Sequence, residues 1–206
     1  MTAAPVVYVL DDEPEMVKAL TRLLGASGFR VHGFTSAAEF LARERHLGPA
    51  CLVLDVAMAG MDGLQVQEQL RQTGEDLPIV FLTGHGDIPM SVHAIKAGAE
   101  DFLTKPVNAA DLLRAINGAL QRASDQQASR EGLAVLQARL ASLTPREREV
   151  LGHVVAGKLN KQIAGDLGTG EQNIKVHRGR LMRKLGVRSV AELVRLAERL
   201  GIRPVR

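Results

Sequence analysis

The sequence predicts an α/β domain built on a parallel sheet, followed by an all-α domain. Two observations support this prediction. Short apolar runs alternate with helix-period segments across residues 1–120, as expected when strands are buried on both faces of a parallel sheet. Beyond residue 142 the strand-like runs stop, and capped helical segments follow one another.

Five strands are predicted in the first half, at residues 6–10, 29–34, 51–54, 78–82 and 101–104. They are rich in Val, Leu, Ile and Phe, and the second strand follows a helix that closes at Gly25 and Gly28. Alternation with helices implies that neighbouring strands run parallel and that the crossovers are right-handed. In such open sheets, ligands bind outside the carboxyl ends of the strands.

Polar residues stand at the carboxyl ends of four of these strands. They are Asp11, Asp12, Asp55, Thr83 and Lys105. Because the strand ends meet at one edge of the sheet, we expect these side chains to converge on one crevice. Taken singly, each has a simpler interpretation: a helix N-cap for the acids, a turn for Thr83 and a solvated charge for Lys105. Their ordered occurrence at four strand ends favours a site.

The chemistry of this set follows from the residue types. Three carboxylates gathered together would raise each other's pKa unless a hard divalent cation such as Mg²⁺ neutralises them. Asp55 can also attack phosphorus as a nucleophile and form an acyl phosphate, with Lys105 as the cation that absorbs charge. The Thr83 hydroxyl would then hydrogen-bond a phosphoryl oxygen only when the phosphate is present, which makes a switch.

These residues resemble the receiver domain of two-component response regulators over roughly residues 5–122, and we assign residues 1–121 to this domain. The resemblance implies a flavodoxin-like fold with a five-stranded parallel sheet in the order 2-1-3-4-5. It implies that Asp12 binds Mg²⁺ or Mn²⁺ directly, and that Asp11 acts partly through water. Asp55 would be the phosphoacceptor, and Ala57 would lend its backbone carbonyl to the metal.

The resemblance also assigns a conformational switch. Thr83 and Phe102 match the switch hydroxyl and the switch aromatic, and the switch is expected to rearrange the surface near the helix that follows Thr83. Lys105 precedes Pro106 in a step whose peptide bond is commonly cis, and a cis bond would aim the lysine into the crevice. The segment 83–90 resembles the FixJ branch in particular.

Two residues in the loop after Asp55 depart from the family pattern. Ala59 stands where proline is usual, and Ala57 stands where a larger polar residue is usual. Loss of the proline should loosen the loop, and a methyl group at position 57 leaves the acyl phosphate less shielded from water. We therefore expect ordinary phosphorylation with an altered lifetime. Asp62 is expected to cap a helix that begins near Leu64.

The two halves of the chain carry opposite charge. Residues 1–120 hold 9 Lys and Arg against 15 Asp and Glu, whereas residues 121–206 hold 17 against 8. Such asymmetry indicates an acidic regulator joined to a basic nucleic-acid binder. A solvated, salt-screened surface is the alternative explanation for the basic residues.

Capping signals and apolar periodicity predict a helix-turn-helix in the second half. Thr144 is placed as an N-cap, Pro145 at the first helical position and Glu147 in a capping box, and this helix runs to Gly157. Asn160 is expected to cap a short helix over residues 161–167, which ends at residues 168–170. The next helix, over 171–185, has an apolar face of Ile174, Leu181 and Leu185 and a recognition face of Gln172, Lys175, Val176, Gly179 and Arg183.

This segment resembles the LuxR-type, or NarL/FixJ-type, DNA-binding domain, with four helices over roughly residues 142–200, and we assign residues 142–206 to it. The resemblance places Lys175, Val176 and Gly179 in the major groove. It assigns phosphate or groove-edge contacts to Lys161, Asn173, Arg178 and Arg180. The last helix would pair two copies. Gly170 stands where an N-cap Ser is usual, so the recognition helix is expected to fray at its start until DNA orders it.

The segment between the two domains, residues 122–141, contains no proline and predicts a helical linker. Its apolar positions, Leu133, Leu136 and Leu140, continue to Leu143 with a spacing compatible with a short coiled-coil seam. The upstream positions in the same register are polar, which disfavours a long dimeric coiled coil. Alternatively, these leucines pack on the DNA-binding domain.

Composition favours a soluble, cytoplasmic protein with no membrane partner. No apolar stretch reaches the length of a membrane span, and the N-terminus lacks a signal pattern. The lone Cys51 cannot form an internal disulfide and is interpreted as a small buried apolar residue. Six dispersed His residues offer no transition-metal cluster.

Together these features predict a transcriptional response regulator, with no enzymatic activity beyond its own phosphotransfer and autodephosphorylation. A sensor histidine kinase would phosphorylate Asp55, and the regulator would form a homodimer on double-stranded promoter DNA and act on RNA polymerase. Two alternatives stay open. The receiver could be a dimerisation module for a DNA binder that does not depend on phosphorylation, or it could chiefly drain phosphate from a kinase.

Overall fold

The computed structural model describes residues 4–84, 98–202 and 204–205. The chain divides into two compact units, Met1–Ala128 and Ser129–Arg206. Most of the segment with the predicted FixJ-like signature, residues 85–90, lies outside the described residues. The surface that the switch is expected to rearrange, near residues 91–97, lies outside them as well.

A parallel sheet organises the first unit. Within the described residues its strands are β1 (Val6–Leu10), β2 (Arg30–Phe34), β3 (Ala50–Asp55), β4 (Ile79–Thr83) and β5 (Asp101–Thr104), in the order β2-β1-β3-β4-β5. All pairs are parallel, so the predicted sheet and its order are confirmed. Leu54 of β3 lies opposite Leu10 of β1 and Phe81 of β4. The carboxyl ends of these strands therefore meet at one edge.

Helices cover both faces of the sheet, and this is why its strands are apolar throughout. α2 (Ala37–Ala42) and α3 (Gly63–Gln72) pack on the face that receives Tyr8 and Leu10, and α1 (Pro14–Ala26) packs on the face that receives Val7 and Val9. The first part of α4 (Ala109–Ala141) joins α1 on that second face.

Cys51 lies in β3 and is fully buried within the second layer of this core. Burial raises the pKa of its thiol to about 12. The thiol is free and stays protonated at neutral pH, so Cys51 packs as a small apolar residue.

The start of α3 fixes the loop that follows Asp55. Asp62 caps the helix, because its side chain accepts from the backbone N–H of Gln65 while the Gln65 side chain accepts from the N–H of Asp62. Gly63 comes next, and a Cβ atom there would overlap the backbone carbonyl oxygen of Asp55. Only glycine allows this close approach between the helix and the end of β3.

The second unit is helical. It contains the end of α4, then α5 (Pro145–Val155), α6 (Asn160–Asp166), α7 (Glu171–Leu185) and α8 (Val190–Arg199). The predicted capping box is present, since Thr144 accepts from the N–H of Glu147 and Glu147 accepts from the N–H of Thr144. The apolar side chains of α7 are buried against α5, α6 and α8 in a single core.

The prediction that Asn160 caps the short helix is wrong. Leu159 occupies the N-cap position without a side-chain hydrogen bond from the cap, and Asn160 is the first helical residue. The Asn160 side chain instead accepts a hydrogen bond from Arg178, at 2.9 Å. The oxygen that local capping would have used instead accepts from a residue of α7, in a part-buried contact between the two helices.

The predicted helical linker is part of α4, which runs without a break from residue 109 to residue 141. Leu136, Leu140 and Leu143 pack into the core of the second unit, and Leu133 is exposed. Of the two interpretations of these leucines, packing on the helical domain is the one observed for these three. Although α4 is long, no helix in the described part of the chain combines the length and the apolar composition needed to cross a bilayer.

Candidate metal centre and nucleic-acid interface

Three carboxylates meet at the carboxyl edge of the sheet. Asp11 and Asp12 directly follow β1, and Asp55 is the last residue of β3. One oxygen of each carboxylate lies within 4.8 Å of the others. Asp11 and Asp55 are buried, whereas Asp12 is the accessible member of the cluster. The sheet therefore gathers three acids that are far apart in the sequence.

The donor set suits a hard divalent cation. All of its ligand atoms are carboxylate oxygens, which Mg²⁺ and Mn²⁺ prefer over the nitrogen and sulfur ligands of softer metals. Within the described part of the chain, the buried Oδ1 atom of Asp55 accepts no hydrogen bond. A buried acceptor is normally paired, so an oxygen that has only an ion pair with Lys105 at 3.3 Å can also take a metal ion as a partner.

Lys105 places a positive charge beside the two buried acids. Its Nζ atom lies 2.7 Å from Asp11 Oδ2 and 3.3 Å from Asp55 Oδ1. The Lys105 backbone N–H donates to the Thr83 carbonyl oxygen, which continues the pairing of β4 with β5 and holds the base of the side chain at the edge. The Lys105–Pro106 peptide bond is cis.

The electrostatics of the site balance burial against charge. Burial has the largest influence on the pKa of Asp55 and raises it, and the nearby Asp11 charge raises it further. The Lys105 charge and a backbone hydrogen bond from Ala57 lower the pKa, but the net pKa is raised. Burial alone would lower the pKa of Lys105, but its hydrogen bond and ion pair with Asp11, and then Asp55, raise it. Asp55 thus sits in a site that does not fully compensate its charge.

The remaining predicted switch residues lie on the neighbouring strands. Thr83 ends β4 and is buried. Phe102 lies on β5, opposite Phe81 in the register, with the two ring centroids 6.2 Å apart. Phe102 is half-buried against the core, so the edge of the sheet presents an aromatic ring that is not fully enclosed.

The loop after Asp55 contacts the loop after β1. The backbone N–H of Ala59 donates to Asp12 Oδ2 at 2.9 Å. The sequence did not indicate this hydrogen bond, because its partners are 47 residues apart and one of them is a backbone group. Ala57 is exposed, and its side chain is the methyl group noted in the sequence.

The recognition face predicted on α7 is exposed. Lys175, Val176, Gly179 and Arg180 are accessible, while Ile174 faces the core. A Cβ atom added at Gly179 would meet nothing within 4 Å, so this face has room for close approach by a ligand. Gly170 is the N-cap of α7 and, as expected of glycine, provides no side-chain cap.

The other residues predicted to contact DNA differ in their exposure and in their contacts with neighbouring side chains. Lys161 is exposed on α6. Asn173 donates to Thr169 Oγ1 at 3.1 Å, and Lys175 lies 3.5 Å from Glu171. Arg178 is half-buried and donates a hydrogen bond to Asn160, so it connects α7 to the start of α6.

Comparison with protein-family models gives two matches along the chain. Residues 7–117 match the model of the response regulator receiver domain. Residues 141–197 match the model of the luxR family of bacterial regulatory proteins. The first match spans the acidic edge and the second spans the helix-turn-helix.

Proteins similar over nearly the whole chain include a response regulator and a transcriptional regulatory protein. The response regulator protein TodT of Pseudomonas putida is 47% identical over 197 residues, which is 96% of this chain and 87% of TodT. The transcriptional regulatory protein FixJ of Bradyrhizobium diazoefficiens is 39% identical over 202 residues, 98% of each chain.

Two solved structures cover both units. The low-resolution structure of the response regulator StyR is 47% identical, has a TM-score of 0.86, and covers 96% of this chain and 100% of its own. The structure of full-length FixJ from B. japonicum is 37% identical, has a TM-score of 0.57, and covers 98% of this chain and 99% of its own.

Proposed function

Because this chain belongs to the NarL/FixJ family of two-component response regulators, in which a receiver precedes a LuxR-type DNA-binding domain, we propose that Asp55 is its phosphoacceptor. Phosphorylation by a histidine kinase regulates the DNA-binding domain in proteins of this kind. The proposal extends to the metal: Asp11, Asp12, Asp55 and the backbone carbonyl of Ala57 hold Mg²⁺ or Mn²⁺.

One observation carries the choice of Asp55. It is the buried acid whose Oδ1 atom accepts no hydrogen bond in the described part of the chain, although Lys105 Nζ lies 3.3 Å away. Asp11, by comparison, is engaged at both oxygens, by the N–H of Glu13 at 2.9 Å and by Lys105 at 2.7 Å. Of the two buried acids, Asp55 is therefore the one held less tightly, by an ion pair with Lys105 at 3.3 Å, and its oxygen is the better placed to act as a nucleophile.

The transfer follows from this arrangement. An Asp55 oxygen attacks the phosphorus of a phosphohistidine on the kinase, and the new P–O bond forms as the P–N bond breaks and the imidazole nitrogen leaves with the electron pair. A bound divalent cation supplies neutralisation of the carboxylates and phosphoryl oxygens. Lys105 keeps its positive charge next to the reacting oxygen, because the neighbouring acids raise its pKa.

The response to phosphorylation starts at Thr83 and Phe102. Thr83 ends the strand beside Asp55, so its hydroxyl can donate to a phosphoryl oxygen once that oxygen is present. Displacement of Thr83 would leave space for the half-buried ring of Phe102 to turn inward. We propose that this change promotes homodimerisation, which brings two DNA-binding domains to one site and raises affinity through avidity.

The output is proposed to be control of transcription through promoter DNA and RNA polymerase in the cytoplasm. Lys175, Val176 and Gly179 are proposed to enter the major groove, and Lys161, Asn173, Arg178 and Arg180 to contact phosphates or groove edges. The exposed, basic character of this face supports the assignment. We further propose that the receiver catalyses only its own phosphotransfer and dephosphorylation.

The test combines sedimentation with DNA binding on one sample containing Mg²⁺, before and after addition of acetyl phosphate or beryllofluoride. The wild-type protein should dimerise and bind promoter DNA more tightly after addition. Asp55→Asn should show neither change. Unchanged mass and affinity in the wild type would favour the alternative, a DNA binder that does not depend on phosphorylation.

A further inference from the structure

The hydrogen bond between Ala59 and Asp12 joins the two loops that present the acidic cluster. Asp12 belongs to the loop after β1, and Ala59 belongs to the loop after β3 that also contains Ala57. The donor is a backbone N–H and the acceptor is Asp12 Oδ2, at 2.9 Å. The bond uses one oxygen of the carboxylate and leaves the other for a second partner.

This bond depends on the residue type at position 59. Proline has no backbone N–H, and its ring carbon is attached to nitrogen where that hydrogen would be. With the nitrogen 2.9 Å from Asp12 Oδ2, a proline ring carbon would fall on the carboxylate. A proline at this position would therefore remove the donor and also force Asp12 to move.

Asp12 is the member of the cluster that most needs such a partner. Asp11 and Asp55 are buried and are confined by their surroundings. Asp12 is accessible, and a free carboxylate at the surface samples several rotamers that must be given up when it binds a cation. A fixed donor removes part of that entropic cost before the cation arrives.

We propose that the Ala59 backbone N–H is a positioning donor that holds the Asp12 carboxylate ready for the divalent cation. This inference rests on the proposed function, since it assumes that the cluster of Asp11, Asp12 and Asp55 binds the metal. Without proline the loop is less stiff, but it gains a specific hydrogen bond to Asp12. Partners that orient metal ligands contribute strongly to metal affinity in general.

The main test is the affinity of the full chain for Mg²⁺, measured by isothermal titration calorimetry. Ala59→Pro should bind Mg²⁺ roughly tenfold more weakly than the wild type. Ala59→Gly keeps the N–H while loosening the loop, so it should stay within about threefold of the wild type. Equal or tighter binding by Ala59→Pro, or an equal loss in Ala59→Gly, would overturn the inference.

A second measurement needs no proline variant and therefore remains decisive if that variant folds poorly. Hydrogen exchange at the Ala59 amide, followed by NMR, should be slow in the wild type and faster in Asp12→Ala. The amide should stay protected when Mg²⁺ is added, because in this proposal the cation binds the other Asp12 oxygen, Oδ1. Loss of protection on adding Mg²⁺ would mean that the bond competes with the metal, contrary to the inference.

The controls separate this inference from the proposed function. Mg²⁺ binding by the wild type that is lost in Asp55→Asn would establish the metal site, whatever Ala59→Pro does. Binding that is absent, or that persists unchanged in Asp55→Asn, would refute the proposed site and the inference together. Binding that depends on Asp55 but not on the Ala59 amide would refute the inference alone.

Discussion

Lys105 compensates the charge of two buried acids at the edge of the sheet. Its ammonium group contacts Asp11 at 2.7 Å and Asp55 at 3.3 Å, and both acids are buried. When one member of a buried ion pair is removed, the charge of the other member is left uncompensated and the folded state is destabilised. We therefore expect the lysine to contribute to stability in addition to its proposed role in phosphotransfer.

Replacing Lys105 with Met should lower the free energy of unfolding of the receiver by about 3 kcal/mol at pH 7 in EDTA. Urea denaturation followed by circular dichroism measures this loss. Added Mg²⁺ should restore part of it, because the cation replaces the missing charge, while Lys105→Arg should lose less. A Lys105→Met protein as stable as the wild type would show that water already compensates the acids.

We expect Ala57 to control the access of water to the acyl phosphate proposed at Asp55. Its exposed methyl group provides little cover, so Ala57→Arg should lengthen the lifetime of phosphorylated Asp55. Loss of ³²P from the purified phosphoprotein measures that lifetime, with Ala57→Ser as a control that adds a polar group but little bulk. Identical decay in the Arg variant and the wild type would exclude shielding at this position.

At the scale of single residues, sequence reasoning was effective where the signal was local. The five polar residues at strand ends were identified because an apolar run and the residue after it are neighbours in the chain. Contacts such as Arg178 with Asn160 and Ala59 with Asp12 join residues 18 and 47 apart. Local pattern carries no information on such partners, and Asn160 was consequently misassigned as a cap.

At the scale of elements, the start of α5 shows how local and distant contacts share one residue. Glu147 completes the capping box with Thr144, as predicted, and also accepts from Lys184 of α7 at 2.7 Å. Its hydrogen bond from Lys184, and then the backbone N–H of Thr144, hold the pKa of its carboxyl below the ordinary value of 4.5. The spacing of Thr144 and Glu147 in the sequence predicted the capping box, whereas the contact with Lys184 is apparent only in the folded structure.

This carboxylate predicts how the helical unit responds to acid. Because the folded pKa of Glu147 is depressed, its stabilisation is fully present above pH 4.5 and is lost as the pH falls through the lower folded value. Glu147→Gln should therefore be less stable than the wild type at pH 7, and the gap in melting temperature should close towards pH 3. The exposed Glu149→Gln is the matched control and should show little gap at either pH. A gap for Glu147→Gln that does not change with pH would contradict the assignment.

At the scale of the whole chain, charge separates an acidic first half from a basic second half. Residues 121–206 carry 17 Lys and Arg against 8 Asp and Glu, which supports binding to DNA phosphates. The charge of each half and the pattern of strand-like and helical segments predicted the two-part organisation, because both are averages over many residues. The order of the strands, in contrast, was anticipated through family resemblance, since strand pairing is not encoded in any one segment.

The salt dependence of DNA binding tests the roles assigned to individual side chains. Lys161→Ala should weaken binding to all sequences alike and reduce the slope of log affinity against log salt by about 1, because one phosphate contact is lost. Val176→Ala should change the preference between operator variants and leave the slope unaltered. Fluorescence anisotropy over a series of salt concentrations measures both. An unchanged slope in Lys161→Ala would remove Lys161 from the phosphate contacts.

The tight fit of Gly63 against the backbone of Asp55 has a genetic consequence. Any side chain at position 63 would overlap the Asp55 carbonyl oxygen and displace the strand end that carries this proposed phosphoacceptor. A random mutagenesis screen for regulators that no longer answer their signal should therefore recover substitutions at codon 63 alongside those at codon 55. Such alleles would mark a position that has no functional group of its own.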